Sequence, residues 1–234
     1  MLAWIDEKLE KHYRLVRVLK KTEKTEILHL RHISIEKDIV KRVQTGNAEV
    51  YDILRRISHP NIPKVYEVVT HGTDTIVLEE YINGITVSQE LQSKLFSEKD
   101  TRSIVRSLCS ALDAIHALGI IHRDIKPEHV IIGEDGIVKL IDYDTARLYK
   151  PYKTADTFIT GTTGYAAPEQ FGLTQSDERT DIFSLGILMN VMLTGVHPSQ
   201  KLHSGKLSKV IEKCTQIDPN KRYAGAAALA KELK

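Results

Sequence analysis

The pattern of apolar and polar positions changes about one third of the way along the chain. In the first third, β-branched residues alternate with polar ones, which is typical of half-buried strands. Strands are predicted over residues 13–19, 25–33, 38–43, 64–70 and 75–82. Apolar residues at helical spacing predict one helix between them, over about 47–57, which stops before Pro60 because the residue preceding a proline resists the helical conformation. A short helix is also expected over residues 2–9.

Helical periodicity dominates after Gly84. Ser97 is expected to cap the first long helix, which ends near Gly119, and a hairpin over 130–141 follows it. Further helices are predicted over about 180–194, 206–215 and 222–233. A strand-rich first part followed by a helix-rich remainder indicates an α+β fold with two lobes, divided near residues 82–84.

Composition narrows the classes of protein. Lys and Arg number 33 against 31 Asp and Glu, and a net charge of +2 argues against a protein that coats nucleic acid through bulk charge. No apolar run approaches the roughly 20 residues of a membrane-spanning helix, and the first residues do not resemble a signal peptide. A cytoplasmic location without a membrane span is therefore expected. Cys109 and Cys214 lie in helical patterns and are expected to be buried free thiols.

Four motifs in the second part carry the candidate chemistry. His122–Pro127 (HRDIKP) lies between a helix and a hairpin, and Asp142–Asp144 (DYD) begins 18 residues after the aspartate of the first motif. Gly161–Tyr165 (GTTGY) and Ala167–Glu169 (APE) follow. In this order and spacing the motifs resemble those of the protein kinases, in particular the eukaryotic-like Ser/Thr kinases of bacteria. The resemblance covers nearly the whole chain, strongly from Leu78 onward.

The resemblance implies a bilobal protein-kinase-like fold and transfer of phosphate from ATP to a Ser or Thr hydroxyl of a protein. Asp124 would accept the proton of the substrate hydroxyl, and Lys126 would reach the transferring phosphate. Thr162 is the third catalytic candidate, and together with Lys126 it indicates the Ser/Thr type. Asp142 would bind Mg²⁺ or Mn²⁺ between the β- and γ-phosphates.

Residues of the first part would hold the nucleotide. Lys41, on a predicted strand, matches the lysine that pairs with the α- and β-phosphates. Glu49 on the predicted helix is assigned as its partner, although the register counted back from the later His-Pro pair leaves this open. Glu80-Tyr81-Ile82 matches the hinge whose backbone would hold adenine, and Ile131 matches an apolar residue beneath the adenine ring.

Two further matches are structural. Glu169 and Arg222 would form an ion pair that holds the activation segment to the large lobe. Asp181 would tie the long apolar helix to the catalytic loop.

The loop between the first two strands departs from the family pattern. The family has three glycines there because they let backbone N–H groups approach phosphates closely, whereas this chain has Lys20–Thr25 (KKTEKT). None of its 13 glycines precedes Gly46. Either the lysines of the loop supply charge to the phosphates, or the loop is a polar hairpin that binds nothing, which is the favoured alternative.

The metal-binding positions depart as well. His129 stands where the family has asparagine, and an imidazole nitrogen suits softer metals than Mg²⁺. Asp144 replaces the glycine that follows the metal-binding aspartate by two residues. If this segment is extended, Asp142 and Asp144 point the same way and both face the metal. An interpretation of equal weight is that Asp144 is a solvent-facing or capping carboxylate.

Three other features concern charge and regulation. Glu79 precedes the hinge, where the family has an apolar or small residue, and it would share Lys41 or replace Glu49 as its partner. Only 23 residues separate Pro198 from Arg222, so the substrate-docking part of the large lobe looks reduced. Candidate phosphorylation sites, whose phosphate Arg123 would bind, are Thr154, Thr157 and Thr160.

The sequence thus predicts a small lobe over 1–83, with a five-stranded sheet and one helix, and a large lobe over 84–234. The leading function is an ATP-dependent Ser/Thr protein kinase with a protein substrate, and self-association would allow one copy to phosphorylate another. The alternative is a pseudokinase that regulates a partner by binding. A small-molecule kinase of the aminoglycoside-phosphotransferase kind is disfavoured, because Gly161–Glu169 resembles a peptide-positioning segment.

Overall fold

The computed structural model describes residues 11–150, 162, 164–171 and 175–234. Their contacts divide into two units, one of Met1–His59 with Pro63–Ile82 and one of Pro60–Ile62 with Asn83–Lys234. The helix expected over 2–9 lies outside the described residues, as do Thr154, Thr157 and Thr160.

The first unit is built on one antiparallel sheet of five strands in the order β1-β2-β3-β5-β4. The strands are β1 (Tyr13–Lys21), β2 (Thr25–His32), β3 (Asp38–Thr45), β4 (Val65–His71) and β5 (Asp74–Glu80). All five were predicted, with ends that differ by one or two residues. β1 is exposed along nearly its whole length because it forms an edge, whereas β3 and β5 pair on both sides and carry most of the buried positions.

One helix, α1 (Ala48–Arg55), packs against β4. It buries Val50, Tyr51 and Leu54, which lie at helical spacing on one face. This is the helix that the apolar spacing before Pro60 predicted, and it ends five residues before the proline.

Five helices are the main regular elements among the described residues of the second unit. They are α2 (Val87–Leu91), α3 (Glu98–His116), α4 (Glu178–Thr194), α5 (Ser208–Cys214) and α6 (Ala226–Glu232). Ser97 caps α3 as predicted, since its hydroxyl accepts the amide of Asp100 at 3.1 Å. α4 is apolar on most of its surface because it is buried among α3, α5 and α6, and it ends at Gly195 with φ 78°.

Short strands complete the second unit. β6 (Gly84–Thr86), β8 (Val130–Gly133) and β9 (Val138–Leu140) form one small sheet, and β7 (Ile120–Ile121) pairs with β10 (Arg147–Leu148). Gly84 is required at its place because a Cβ there would overlap the carbonyl oxygen of Ile132. A β-rich first unit and a helix-rich second unit confirm the predicted α+β class.

Both cysteines are buried free thiols, as predicted. Burial raises the pKa of Cys109 to about 12, so its thiol stays protonated. Among the described helices, none has the length and apolar character needed to cross a membrane.

Candidate active site

The catalytic loop after β7 is held by Asp181, a fully buried carboxylate in the first turn of α4. Its two oxygens accept the backbone amides of His122 at 2.9 Å and Arg123 at 2.8 Å, and His116 Nε2 lies 2.7 Å away. Burial opposes the charged form, but these hydrogen bonds outweigh it and lower the pKa of the Asp181 carboxyl. The predicted tie between the long helix and the loop is therefore present. Arg123 adopts a left-handed φ of 68°, which turns the loop toward Asp124.

The three predicted catalytic side chains lie together. Lys126 Nζ donates to Asp124 Oδ2 at 2.8 Å and to Thr162 Oγ1 at 2.7 Å. Thr162 Oγ1 in turn donates to Asp124 Oδ1 at 2.6 Å. Asp124 is only 8% exposed, yet the charge of His129 and the bonds from Lys126 and Thr162 outweigh burial and lower the pKa of its carboxyl. Asp124 is thus ionised at neutral pH and can accept a proton or a hydrogen bond.

His129 connects this cluster to Asp142. A short 3-10 helix, Pro127–His129, places the ring so that Nδ1 is 2.8 Å from the backbone carbonyl oxygen of Asp124. Nε2 lies 3.2 Å from Asp142 Oδ2. Two of the three predicted metal-binding side chains, His129 and Asp142, are therefore adjacent.

The backbone at Asp142 corrects one expectation about Asp144. Asp142 has φ 66°, a left-handed conformation, and a turn follows it at Asp144. The segment is not extended, so the rule that residues i and i+2 point the same way does not apply. The amide of Asp144 donates to Asp142 Oδ1 at 3.4 Å. A direct role of the Asp144 carboxylate at the metal stays a prediction.

The side chains of Asp142 and His129 fit a divalent cation that accepts a nitrogen ligand. Within the described residues, no three His, Cys, Asp or Glu side chains are grouped to hold a metal ion. A cation at a nucleotide site can be held by one or two carboxylates, with phosphates and water supplying the other ligands. Asp142 fits that role. His129 offers a nitrogen where Mg²⁺ prefers oxygen.

The predicted ion pair between Glu169 and Arg222 is present and buried. Arg222 donates from Nη1 to Glu169 Oε1 at 2.6 Å and from Nη2 to Oε2 at 2.9 Å. Thr180 Oγ1 also donates to Glu169, at 2.9 Å. The pair joins the 3-10 helix Pro168–Phe171 to the segment that precedes α6.

In the first unit, Glu79 pairs with Arg42. Arg42 Nε and Nη2 each lie 3.4 Å from Glu79 Oε1, and the two residues are 3% and 7% exposed. Lys41 stands opposite Leu28 and Leu78 in the sheet, so it leaves the sheet from the other face. The register therefore does not favour the expectation that Glu79 shares Lys41, which stays a prediction. Lys41 as the phosphate anchor stays a prediction.

Sequence reasoning missed Arg42. The signal that could have found it is the alternation along the strand, because Val40 and Arg42 share the face of Glu79. Glu49 is exposed in the first turn of α1 and, within the described residues, forms no ion pair. The structure thus does not bring Glu49 and Lys41 together as an ion pair.

The hinge candidates lie at the end of β5. The amide of Lys64 donates to Glu80 Oε2 at 3.0 Å, which fixes that side chain to the start of β4. The ring of Tyr81 stacks on His29, with centroids 3.7 Å apart and planes 5° apart. Ile82 is half-buried in the first unit, and Ile131 is half-buried on β8 of the second unit.

The turn between β1 and β2 is closed by its own hydrogen bonds. Thr22 Oγ1 accepts the amides of Lys24 and Thr25, and the amide of Thr22 donates to the carbonyl of Thr25. Lys21 pairs with Glu26 at 2.7 Å. These amides are occupied within the turn, which agrees with the expectation that its backbone does not cradle phosphates.

Comparison with known proteins indicates the family to which the chain belongs. The model of the protein kinase domain matches residues 12–225. A probable serine/threonine-protein kinase of Clostridium perfringens, CPE1738, is 35% identical over 62% of this chain and 22% of its own length. The mouse ribosomal protein S6 kinase alpha-4 is 37% identical over 61% of this chain and 19% of its own.

A third relative covers more of the chain. The mouse sperm motility kinase Z is 27% identical over 90% of this chain and 44% of its own length. The chain therefore spans less than half the length of each of these relatives. Because the family model covers most of the sequence and the predicted catalytic side chains lie in one cluster, the chain belongs to the protein kinase domain family.

Proposed function

We propose that this chain transfers the γ-phosphoryl group of ATP to a Ser or Thr hydroxyl of a protein. The observation that carries the proposal is the cluster of Asp124, Lys126 and Thr162, in which each side chain bonds to the other two. The probable serine/threonine-protein kinase of Clostridium perfringens among the relatives supports the choice of hydroxyl. A cytoplasmic location stays a prediction from the sequence.

The cluster suits phosphoryl transfer because this reaction needs positioning and charge neutralisation more than covalent chemistry. The ionised Asp124 carboxylate orients the substrate hydroxyl and accepts its proton. The Lys126 ammonium, held by Asp124 and Thr162, donates to the oxygens of the transferring phosphoryl group. A bound divalent cation would neutralise charge on the β- and γ-phosphates, and Asp142 with His129 would hold it.

Charged side chains of the first unit would hold the remaining phosphates. Lys41 is the predicted anchor, and Arg42, which leaves the opposite face of β3 and is paired with Glu79, is the alternative to it. The backbone of Glu80-Tyr81-Ile82, together with Ile131, would hold adenine. With the turn amides at Thr22 occupied, side chains must supply the contacts that glycine amides supply in the family.

The second candidate function is a pseudokinase that binds a partner. Three observations favour it: the self-closed turn at Thr22, the exposed Glu49, and the Tyr81 ring stacked against His29 in the hinge segment. None of them removes a catalytic group of the second unit. We therefore prefer the active kinase to the pseudokinase as the function of this chain.

Phosphate incorporation from labelled ATP separates the two functions. The pure chain is incubated with Mg²⁺ or Mn²⁺ and a Ser/Thr-rich protein substrate, beside Asp124→Asn. Exposed Asp113→Asn is the matched control. We expect incorporation with the wild type and Asp113→Asn, and a loss of about 10²- to 10⁴-fold with Asp124→Asn.

Two outcomes would overturn the proposal that the chain is a kinase. One is equal incorporation with Asp124→Asn, which would indicate a contaminating kinase. The other is no incorporation and no thermal shift with nucleotide, which would favour the binding module. If the chain phosphorylates itself, a labelling rate that rises with the square of the protein concentration would support phosphorylation of one copy by another. Mass spectrometry would show whether Thr154, Thr157 or Thr160 is the site.

A further inference from the structure

We infer that a basic groove on the outer face of α3 binds a phosphorylated segment of a partner protein, through a phosphate group carried on Ser or Thr. The groove lies within the second unit, between α3, the end of α6 and the segment that precedes α5. Among the described residues that line it, none belongs to the catalytic cluster. The inference therefore concerns binding alone and does not depend on the proposed function.

The groove has a volume of about 700 Å³, and basic side chains dominate the described residues that line it. They are Lys99, Arg102, Arg106, Lys206 and Lys234. Glu98 is the acidic side chain that joins them. This is a local excess of positive charge in a chain whose net charge is only +2. A ligand that fits such a surface carries negative charge.

Glu98 contributes its carboxylate to the wall of the groove. His203 Nε2 donates to Glu98 Oε1 at 2.8 Å. A Cβ at Gly205 would overlap both of these atoms, so glycine is required for the close approach. The bond fixes the segment that carries Lys206 beside the first turn of α3.

Two arginines one turn apart on α3 provide the strongest anion-binding groups. Arg102 and Arg106 are four residues apart, which places their Cβ atoms about 5–6 Å from each other on one helix face. Arg102 is half-buried, and its Nη1 donates to the backbone carbonyl of Glu232 at 3.4 Å, which leaves its other N–H groups for a ligand. Arg106 is exposed and, within the described residues, forms no ion pair.

This charge pattern works against the stability of α3. Arg102 and Arg106 repel each other because like charges at i and i+4 are neighbours on the helix surface. Lys99 stands in the first turn, at the positive end of the helix dipole. A bound anion would neutralise both unfavourable interactions, so binding accounts for a pattern that folding alone does not favour.

A phosphate group suits the groove better than other anions. It carries a charge of about −1.5 to −2 at pH 7 and three acceptor oxygens, which match two guanidinium groups and the exposed hydroxyl of Ser103 beside them. Nucleic acid is disfavoured because no described lining residue is aromatic, so bases would have no ring on which to stack. A membrane surface is disfavoured because no exposed large apolar side chain is among the described residues of the groove.

The test is the binding of a short fluorescent peptide of glycine and serine with one central phosphoserine, measured by fluorescence anisotropy with the full chain and without nucleotide. The comparison peptides carry unmodified serine or aspartate at the central position. We expect the wild type to bind the phosphopeptide at least about tenfold more tightly than either. Arg106→Gln should lose about tenfold in affinity. Arg56→Gln, which removes an exposed guanidinium of the first unit, should keep the wild-type value.

Wild-type measurements alone can overturn the inference, so it does not depend on the variant folding. Equal affinity for the phosphopeptide and either comparison peptide would overturn it. An unchanged affinity in Arg106→Gln would overturn it as well, because the phosphate would then bind elsewhere. So would tighter binding of single-stranded DNA or of phosphatidylserine vesicles that Arg106→Gln weakens. If the phosphopeptide binds at the groove but no phosphate is transferred from ATP, the proposed function fails and this inference stands.

Discussion

At the scale of single residues, the Thr162 hydroxyl links the two charged groups of the catalytic cluster. It donates to Asp124 at 2.6 Å and accepts from Lys126 at 2.7 Å, so it braces the direct bond between the two. Thr162→Val removes both bonds at nearly constant volume. We expect kcat to fall about 10- to 100-fold, because small displacements of catalytic groups are costly.

Thr162→Ser is the matched control, since it keeps the hydroxyl and should retain most of the activity. The measurement is the initial rate of phosphate incorporation at saturating ATP, with KM for ATP expected to change little. Equal rates for Thr162→Val and the wild type would show that Thr162 does not position either charged group.

The role of a residue could be predicted where a sequence motif defined it, but not where it depended on the register between two strands. Asp124 and Lys126 followed from the spacing of the catalytic-loop motif, and the structure brings them together. Arg42 did not follow, because its pairing with Glu79 depends on how β3 aligns with β5. The left-handed φ of Asp142 was also out of reach, since that conformation is imposed by the surrounding fold.

At the scale of elements, the buried pair of Glu169 and Arg222 joins two segments that are distant in sequence. Removing one partner of a buried pair leaves an uncompensated charge and typically costs about 3–5 kcal/mol. Glu169→Gln should therefore lower the free energy of unfolding by about that amount. Urea unfolding followed by far-UV circular dichroism measures it.

Glu178→Gln is the matched control, because Glu178 is exposed at the start of α4. We expect it to change stability by less than about 0.5 kcal/mol. A similar small loss in Glu169→Gln would mean that the remaining bonds of Arg222, to the carbonyls of Gln216, Ile217 and Arg179, suffice to neutralise its charge.

Elements with local signals were predicted well. The cap at Ser97 and the glycine at 195 marked the ends of two long helices. The short helix α2 was missed, although Thr86 and Gln89 form a capping box at its start. β7 and β10 could not be predicted, because a pair of two-residue strands is defined by contacts across the fold and not by a pattern within either strand.

At the scale of the whole chain, the order of elements was sufficient for the α+β class, and four motifs were sufficient for the family. Composition contributed one specific hint. The absence of glycine before Gly46 points to the β1–β2 turn, where the structure shows amides bonded within the turn. The second unit thus keeps the aspartate and lysine of the catalytic-loop motif, while the first unit departs from the family at the turn.

Overall stability is expected to fall as the pH drops, and His122 sets the first step. The ring is fully buried, Nε2 lies 3.2 Å from the Ile141 carbonyl, and the amide of Asp124 donates to Nδ1 at 3.4 Å, which suits the neutral form. Burial lowers the pKa of the His122 imidazole below its ordinary 6.5. Below pH 6.5 the unfolded chain therefore binds a proton that the folded chain does not, and stability declines.

Asp181 sets a second step at lower pH. Its folded pKa is lowered, so the stability it contributes is complete above the unfolded value of about 3.9 and is lost as the pH falls through the folded value. Melting temperatures at pH 7.5 and 5.5, and at a series of pH values below 4, test both steps. His122→Gln, which hydrogen bonds but does not titrate, should flatten the decline between pH 7.5 and 5.5, by at most about 1.4 kcal/mol per pH unit. It should leave the loss of stability below pH 4 in place. A wild type that gains stability on acidification would contradict the assignment, because both groups shift in the direction that favours proton uptake on unfolding.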